Sequence, residues 1–116
     1  LYKSSTGKES TAVGAYAGAY ATSDHNVAVG YKALYGVADQ SVCCDSGSNN
    51  VAVGFEALKV NSEGYLNVAI GSQSMTSNTT GAGNAALGYQ SLLDNTTGTD
   101  NTAIGNIALW DNTATT

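Results

Sequence analysis

Short apolar motifs alternate with longer polar turns along the whole chain. The motif reads Asn-x-Ala-[Val/Ile/Leu]-Gly, then two variable residues, Ala or Ser, and Leu or Met. The copy Asn67-Val68-Ala69-Ile70-Gly71, with Ser74-Met75 after it, shows it in full. It recurs from Asn26, Asn50, Asn84 and Asn101. A degenerate copy starts at Ser10, where Ala17-Gly18 lacks the large residue. The motif glycines are Gly14, Gly30, Gly54, Gly71, Gly88 and Gly105, giving steps of 16, 24, 17, 17 and 17 residues. A fixed period of this length marks a supersecondary unit that stacks on copies of itself.

Within each unit the x-Ala-[Val/Ile/Leu]-Gly stretch alternates branched with small residues, which predicts a short strand. Val27 and Val29 then share one face, and Ala28 and Gly30 the other. A second strand is expected around Ala33-Leu34. Val29 and Leu34 are expected to face one interior, and their odd separation requires a bend, for which Gly30 is the least hindered place. The segments 61–64 (NSEG), 78–81 (NTTG) and 95–98 (NTTG) read as turns in which Asn and Gly supply left-handed backbone. No 3.6-residue apolar stripe outlasts one turn, so helix is not expected. The fold class that follows is all-β, a parallel β-solenoid with coils of 17 residues. Residues 1–9 read as a lead-in and 10–116 as one repeat domain. The 24-residue step exceeds the regular one by seven and places an inserted loop at about 36–49. The last turn stops where another copy is due, and the stack is expected to continue or hand over beyond Thr116.

Stacking would bring Asn26, Asn50, Asn67, Asn84 and Asn101 into a ladder of side-chain amides. One coil offers few large apolar groups, so a thin stack needs burial from elsewhere. The small pairs Ala52/Gly54, Ala69/Gly71, Ala86/Gly88 and Ala103/Gly105 suggest a face that three chains share about an axis, with Ile70 turned to the coil interior.

Composition narrows the function. Only 11% of residues are charged, there is no Pro, and the net charge is −5. Polar uncharged residues must cover the surface, as in extracellular β-structures. An acidic balance argues against a basic nucleic-acid surface. No apolar run is long enough for a membrane helix, and no signal peptide is visible. The start at Leu1 without Met carries the expectation of a piece of a longer chain.

Candidate chemistry is sparse. Cys43 and Cys44 are adjacent and read as small loop residues, because neighbours rarely meet disulfide geometry. His25 is the single histidine. With Asp24 beside it, it lacks the nucleophile elbow of a hydrolase. Gly81-Ala82-Gly83 does not make a dinucleotide loop. Asp24, Asp45, Asp94, Asp100 and Asp111 lie in turns without the spacing of a Ca²⁺ solenoid repeat. Thr79-Thr80, Thr96-Thr97 and Thr113 could present a flat hydroxyl array of the ice-binding kind, though polar turn filling accounts for them. Asn78 and Asn95 head formal glycosylation sequons. Tyr31, Phe55 and Tyr89 share the position after the motif Gly. With Tyr35 and Trp110 they read first as packing between subunits and second as an aromatic strip suited to carbohydrate. No catalytic residue, cofactor or metal is expected, and the chain does not read as an enzyme. The insertion, which breaks the repeat, is the natural place for recognition.

The Asn-x-Ala-[Val/Ile]-Gly motif with its [Ala/Ser]-[Leu/Met] sequel resembles the head repeats of trimeric autotransporter adhesins of the YadA-like family. The continuation from Gly88 to Gly98 is similar to repeats of phage tail fibres. The resemblance covers about residues 10 to 116. It implies a left-handed parallel β-roll, an obligate homotrimer, an extracellular or virion location, and attachment to a host-surface glycan or protein receptor. The 17-residue period is longer than that of the typical adhesin head, and together with the insertion it favours the fibre relatives. A self-assembling extracellular filament is the remaining alternative. Neither a nucleic-acid partner nor membrane insertion is expected.

Overall fold

The structure, a computed structural model, describes residues 10–37 and 47–113. The lead-in 1–9, the body of the insertion, Cys43, Cys44 and Asp45 lie outside the described residues. Six three-residue strands form one parallel sheet: β1 (Thr11–Val13), β2 (Val27–Val29), β3 (Val51–Val53), β4 (Val68–Ile70), β5 (Ala85–Leu87) and β6 (Thr102–Ile104). Strand order equals chain order, so each coil lies directly on the one before it. Equivalent motif residues pair without slippage: Ala52 with Ala69, Ala69 with Ala86, Ala86 with Ala103. The chain is therefore an all-β solenoid, as the repeat predicts.

The interior is the reverse of the expected one. Ala28, Ala52, Ala69, Ala86 and Ala103 are buried, while the branched residues that flank them on the strands point outward. Ile70 is not a core residue; Ala69 is. Leu34, Leu58, Met75 and Leu92 fill the interior from the far side of the coil, each fully buried. Beside them sit Ala33, Ala57, Ser74 and Ser91. A coil this narrow has room for one Leu-sized residue per layer, so the strand must offer a methyl group.

No second strand forms at Ala33-Leu34. Instead the backbone after each motif Gly visits the left-handed region repeatedly. Glu56, Gln73 and Gln90 have φ of 54, 57 and 51°, and Leu58, Met75 and Leu92 each have φ of 51°. A side chain in this region costs about 1–2 kcal/mol per residue. It persists because neighbouring coils fix the backbone from both sides. Leu58 N–H donates to Ser74 O at 2.9 Å, and Gln73 N–H to Phe55 O at 2.7 Å. These successive reversals break the strand parity that placed Val29 and Leu34 on one face.

The motif Gly is required by the next coil of the same chain. A Cβ on Gly30 would lie 2.5 Å from the Gly54 carbonyl oxygen, and one on Gly71 would run into that of Gly88. So Ala69 and Gly71 form no seam for other subunits; one is interior and the other meets its own chain.

Two Asn ladders run through the stack. In the expected one, Asn50 Oδ1 accepts the backbone N–H of Asn67 at 3.0 Å, Asn67 Oδ1 that of Asn84 at 3.0 Å, and Asn84 Oδ1 that of Asn101 at 3.0 Å. The amide nitrogens donate to turn carbonyls, Asn67 Nδ2 to Gly81 O at 2.8 Å and Asn84 Nδ2 to Gly98 O at 2.8 Å. Ser10 stands in for Asn in the first coil, its Oγ accepting Asn26 N–H at 3.1 Å. The second ladder comprises the turn residues Asn61, Asn78 and Asn95. Asn78 Nδ2 donates to Asn61 Oδ1 at 2.9 Å, and Asn95 Nδ2 to Asn78 Oδ1 at 3.0 Å. These Asn and the turn glycines Gly64, Gly81 and Gly98 do not adopt left-handed backbone; that role falls to Leu66, Gly83 and Asp100 just before the motif Asn. Where the first coil carries Gly18 instead of Leu, a cavity of about 50 Å³ opens beside Ala12, Ala28 and Leu34.

Asn67→Ala leaves the buried Asn84 N–H without its acceptor and takes one of two amide donors from the Gly81 carbonyl, which keeps Asn78 Nδ2 at 3.0 Å; it is expected to cost about 1–3 kcal/mol in urea unfolding. Ser62→Ala removes only a hydroxyl bond to Thr79 O, which also takes backbone N–H bonds, and should cost under about 1 kcal/mol. Ala69→Leu overpacks the interior and is expected to lose about 1–3 kcal/mol. Because Ala69 is interior, that loss should not vary with protein concentration, as a seam substitution would.

Candidate binding surfaces

With Ala inside, the strands turn two apolar columns outward. One holds Val27, Val51 and Val68; the other holds Val13, Val29, Val53, Ile70, Leu87 and Ile104. Coils on either side half-cover the central members, and Val13, Leu87 and Ile104 are open, Ile104 at 70%. The face carries no charge. Six strands at about 4.8 Å give a flat apolar band roughly 24 Å long. An uncovered apolar band of this kind is a candidate interaction surface. Counting by two along the motif predicts this face inward; the left-handed residues after the motif Gly, such as Lys32 and Leu34, reverse it.

The turn after each motif Gly builds a second surface. In the first three coils it is aromatic. Tyr31 and Phe55 stack with centroids 5.6 Å apart and planes 14° apart. Tyr16 meets Tyr31 edge-on at 6.1 Å, and Tyr20 meets Tyr35 edge-on at 5.0 Å. The Lys32 ammonium lies 5.3 Å from the Tyr31 centroid and 5.5 Å from that of Tyr35, a cation–π arrangement. Lys59 is paired with Glu56 at 2.9 Å. Of the residues expected in one strip, Tyr31 and Phe55 stack directly, while the Tyr35 ring packs edge-on against Tyr16 and Tyr20. The stack does not run on unbroken to Tyr89, because Ser72 occupies the position between. Trp110 lies on the last coil, in the column of Tyr35 but four coils away.

Above Phe55 the aromatic column is interrupted by Ser72, with a polar Gln pair beside it. Gln90 Nε2 donates to Gln73 Oε1 at 3.0 Å, a one-rung side-chain ladder on the column next to Ser72. Backbone bonds hold these positions in register: Gln90 N–H to Ser72 O at 3.0 Å, Ile107 N–H to Tyr89 O at 2.8 Å.

The remaining candidates fall into structural places. His25 is an exposed left-handed residue before Asn26. Among the described residues no three His, Cys, Asp or Glu side chains converge as metal ligands would. Asp24, Asp94, Asp100 and Asp111 sit in separate turns. The Thr79 hydroxyl donates to Thr96 O at 2.9 Å, so that column is engaged along the stack. Asn78 and Asn95 are fully buried in their ladder; the nitrogen that would carry a sugar is inside the folded coil, so neither sequon is usable once the chain folds. No helix of the described residues is long and apolar enough to cross a membrane. Comparison with family models, curated proteins and solved structures finds no match to the chain.

The Tyr20 hydroxyl is held above the ordinary tyrosine value, chiefly by its hydrogen bond to Tyr35 and then by the Tyr35 charge. A raised folded pKa favours the protonated form, so its contribution is intact at neutral pH and is lost as pH rises through that pKa. A phenolate absorbance titration should show Tyr20 ionising late, and Tyr35→Phe should bring that component back towards 10.0.

Proposed function

We propose that this chain is a structural and adhesive module of an extracellular fibre, of the virion tail-fibre kind, for attachment to a host or cell surface. In this reading three copies associate about a common axis along the outward Val/Ile/Leu columns of β1–β6. The coils would wind left-handed, as the resemblance of the motif implies. The uncovered apolar sheet face is the observation that carries the proposal. A single stack leaves it wet, and a second and third copy would bury it against itself. The low charge and the interlocked Asn ladders suit a stiff rod whose role is to hold and present a surface.

The seam differs from the one the small residues suggested. It would be lined by Val53, Ile70 and Leu87, not by Ala69 and Gly71. Light scattering coupled to size separation should give three times the chain mass. The double variant Val53→Lys/Ile70→Lys places charges on an already exposed face, so each single chain should keep its coil signature by circular dichroism. The same variant should run as a monomer, because like charges from three chains would meet at the axis. A wild-type protein that is folded and monomeric at all concentrations would remove the trimer from the proposal.

A further inference from the structure

The aromatic column on the turn surface has one ring missing. Its members from the second coil onward are Tyr31, Phe55, Ser72 and Tyr89. Tyr31 and Phe55, one coil apart, stack at 5.6 Å. Phe55 and Tyr89 are two coils apart, and at about 4.8 Å per coil their positions are separated by roughly 10 Å. That is about twice an ordinary stacking distance, the spacing at which one further ring would meet an aromatic side chain on either side. Both walls are open to solvent, Phe55 and Tyr89 each at 48%. Tyr31 backs Phe55 from the far side and keeps its plane fixed.

We infer that this slot is a binding site for a single neutral pyranose ring of a surface glycan, held between Phe55 and Tyr89 over Ser72. The inference rests on the adhesive part of the proposed function and names its ligand class. The polar groups decide for a sugar over a flat aromatic ligand. Ser72 offers a hydroxyl with no hydrogen bond among the described residues. In the adjoining Gln pair, one bond links Gln90 Nε2 to Gln73 Oε1. This leaves Gln73 Nε2 as a donor and Gln90 Oε1 as an acceptor on the column beside Ser72. An aromatic ring would leave all three unused. Charge points the same way: the carboxylate nearest in the column, Glu56, is already paired with Lys59 at 2.9 Å, so nothing in the slot selects for an ionic ligand.

The test is saturation-transfer NMR on the intact chain with methyl glycosides of glucose, galactose and N-acetylglucosamine at millimolar concentration, and with indole as the aromatic probe. At least one glycoside should give transfer. Ser72→Tyr supplies the missing ring and should abolish it while leaving the melting temperature unchanged or higher. Phe55→Ala and Tyr89→Ala should each weaken binding roughly tenfold, and Tyr65→Ala, on another turn, should leave it unchanged. No transfer to any glycoside, transfer to indole alone, or undiminished binding by Ser72→Tyr and Phe55→Ala would overturn the inference. So would dissociation of the assembly by Phe55→Ala or Tyr89→Ala, because the rings would then belong to a seam. The mass of each sample separates the two ideas: a monomer that binds glycoside removes the trimer alone, and a trimer that binds none removes the slot alone.

Discussion

Every coil turns a corner inside the stack, and the backbone there must find partners without water. The two Asn columns supply them. A short amide side chain both accepts a backbone N–H from the next coil and donates to a carbonyl of the turn, so one residue closes the corner and sets the register. Asn67 does this between Asn84 N–H and the Gly81 carbonyl. The arrangement works only if successive coils approach at strand distance throughout, which the motif glycines permit by leaving the neighbouring carbonyl unobstructed. Remove either and the other loses its purpose.

The outer surface follows from that close winding. The interior is a narrow shaft that takes one Leu or Met, one Ala or Ser, two Asn and the strand Ala per layer. Branched side chains on the strands have no space inside and are left on the outside, in register over six strands. The same constraint that makes the coil self-consistent therefore produces an apolar face unsuited to water. This is the face that the proposed self-association would cover. The turn surface obeys a different logic. Residues after the motif Gly touch neither interior nor sheet face, so they vary from coil to coil, and it is there that Tyr31, Phe55, Ser72 and Tyr89 differ at equivalent positions.

Much of this was legible in the sequence. The period, the strand positions, the parallel register and the first Asn ladder can be read from the spacing of Asn67, Ala69 and Gly71 and their copies. The second ladder was hidden because Asn61, Asn78 and Asn95 sit in segments whose composition already means turn, and a turn explains Asn without burial. Which strand face is interior was misread for a physical reason. Counting by two from Val29 to Leu34 assumes extended backbone, whereas Lys32 and Leu34 both take left-handed conformations. Propensity disfavours such angles for Leu; only the fixed coils above and below impose them. The usual inference that larger apolar residues face inward then failed, because the shaft is too thin for two of them per layer.

Native-state hydrogen exchange tests the ladder most directly. The backbone amides of Asn50, Asn67 and Asn84, bonded to side-chain oxygens inside the stack, should exchange only through global opening and rank with the slowest in the chain. If they exchange as fast as the amide of the exposed Thr97, the Asn columns do not hold the coils together and the account of the fold fails.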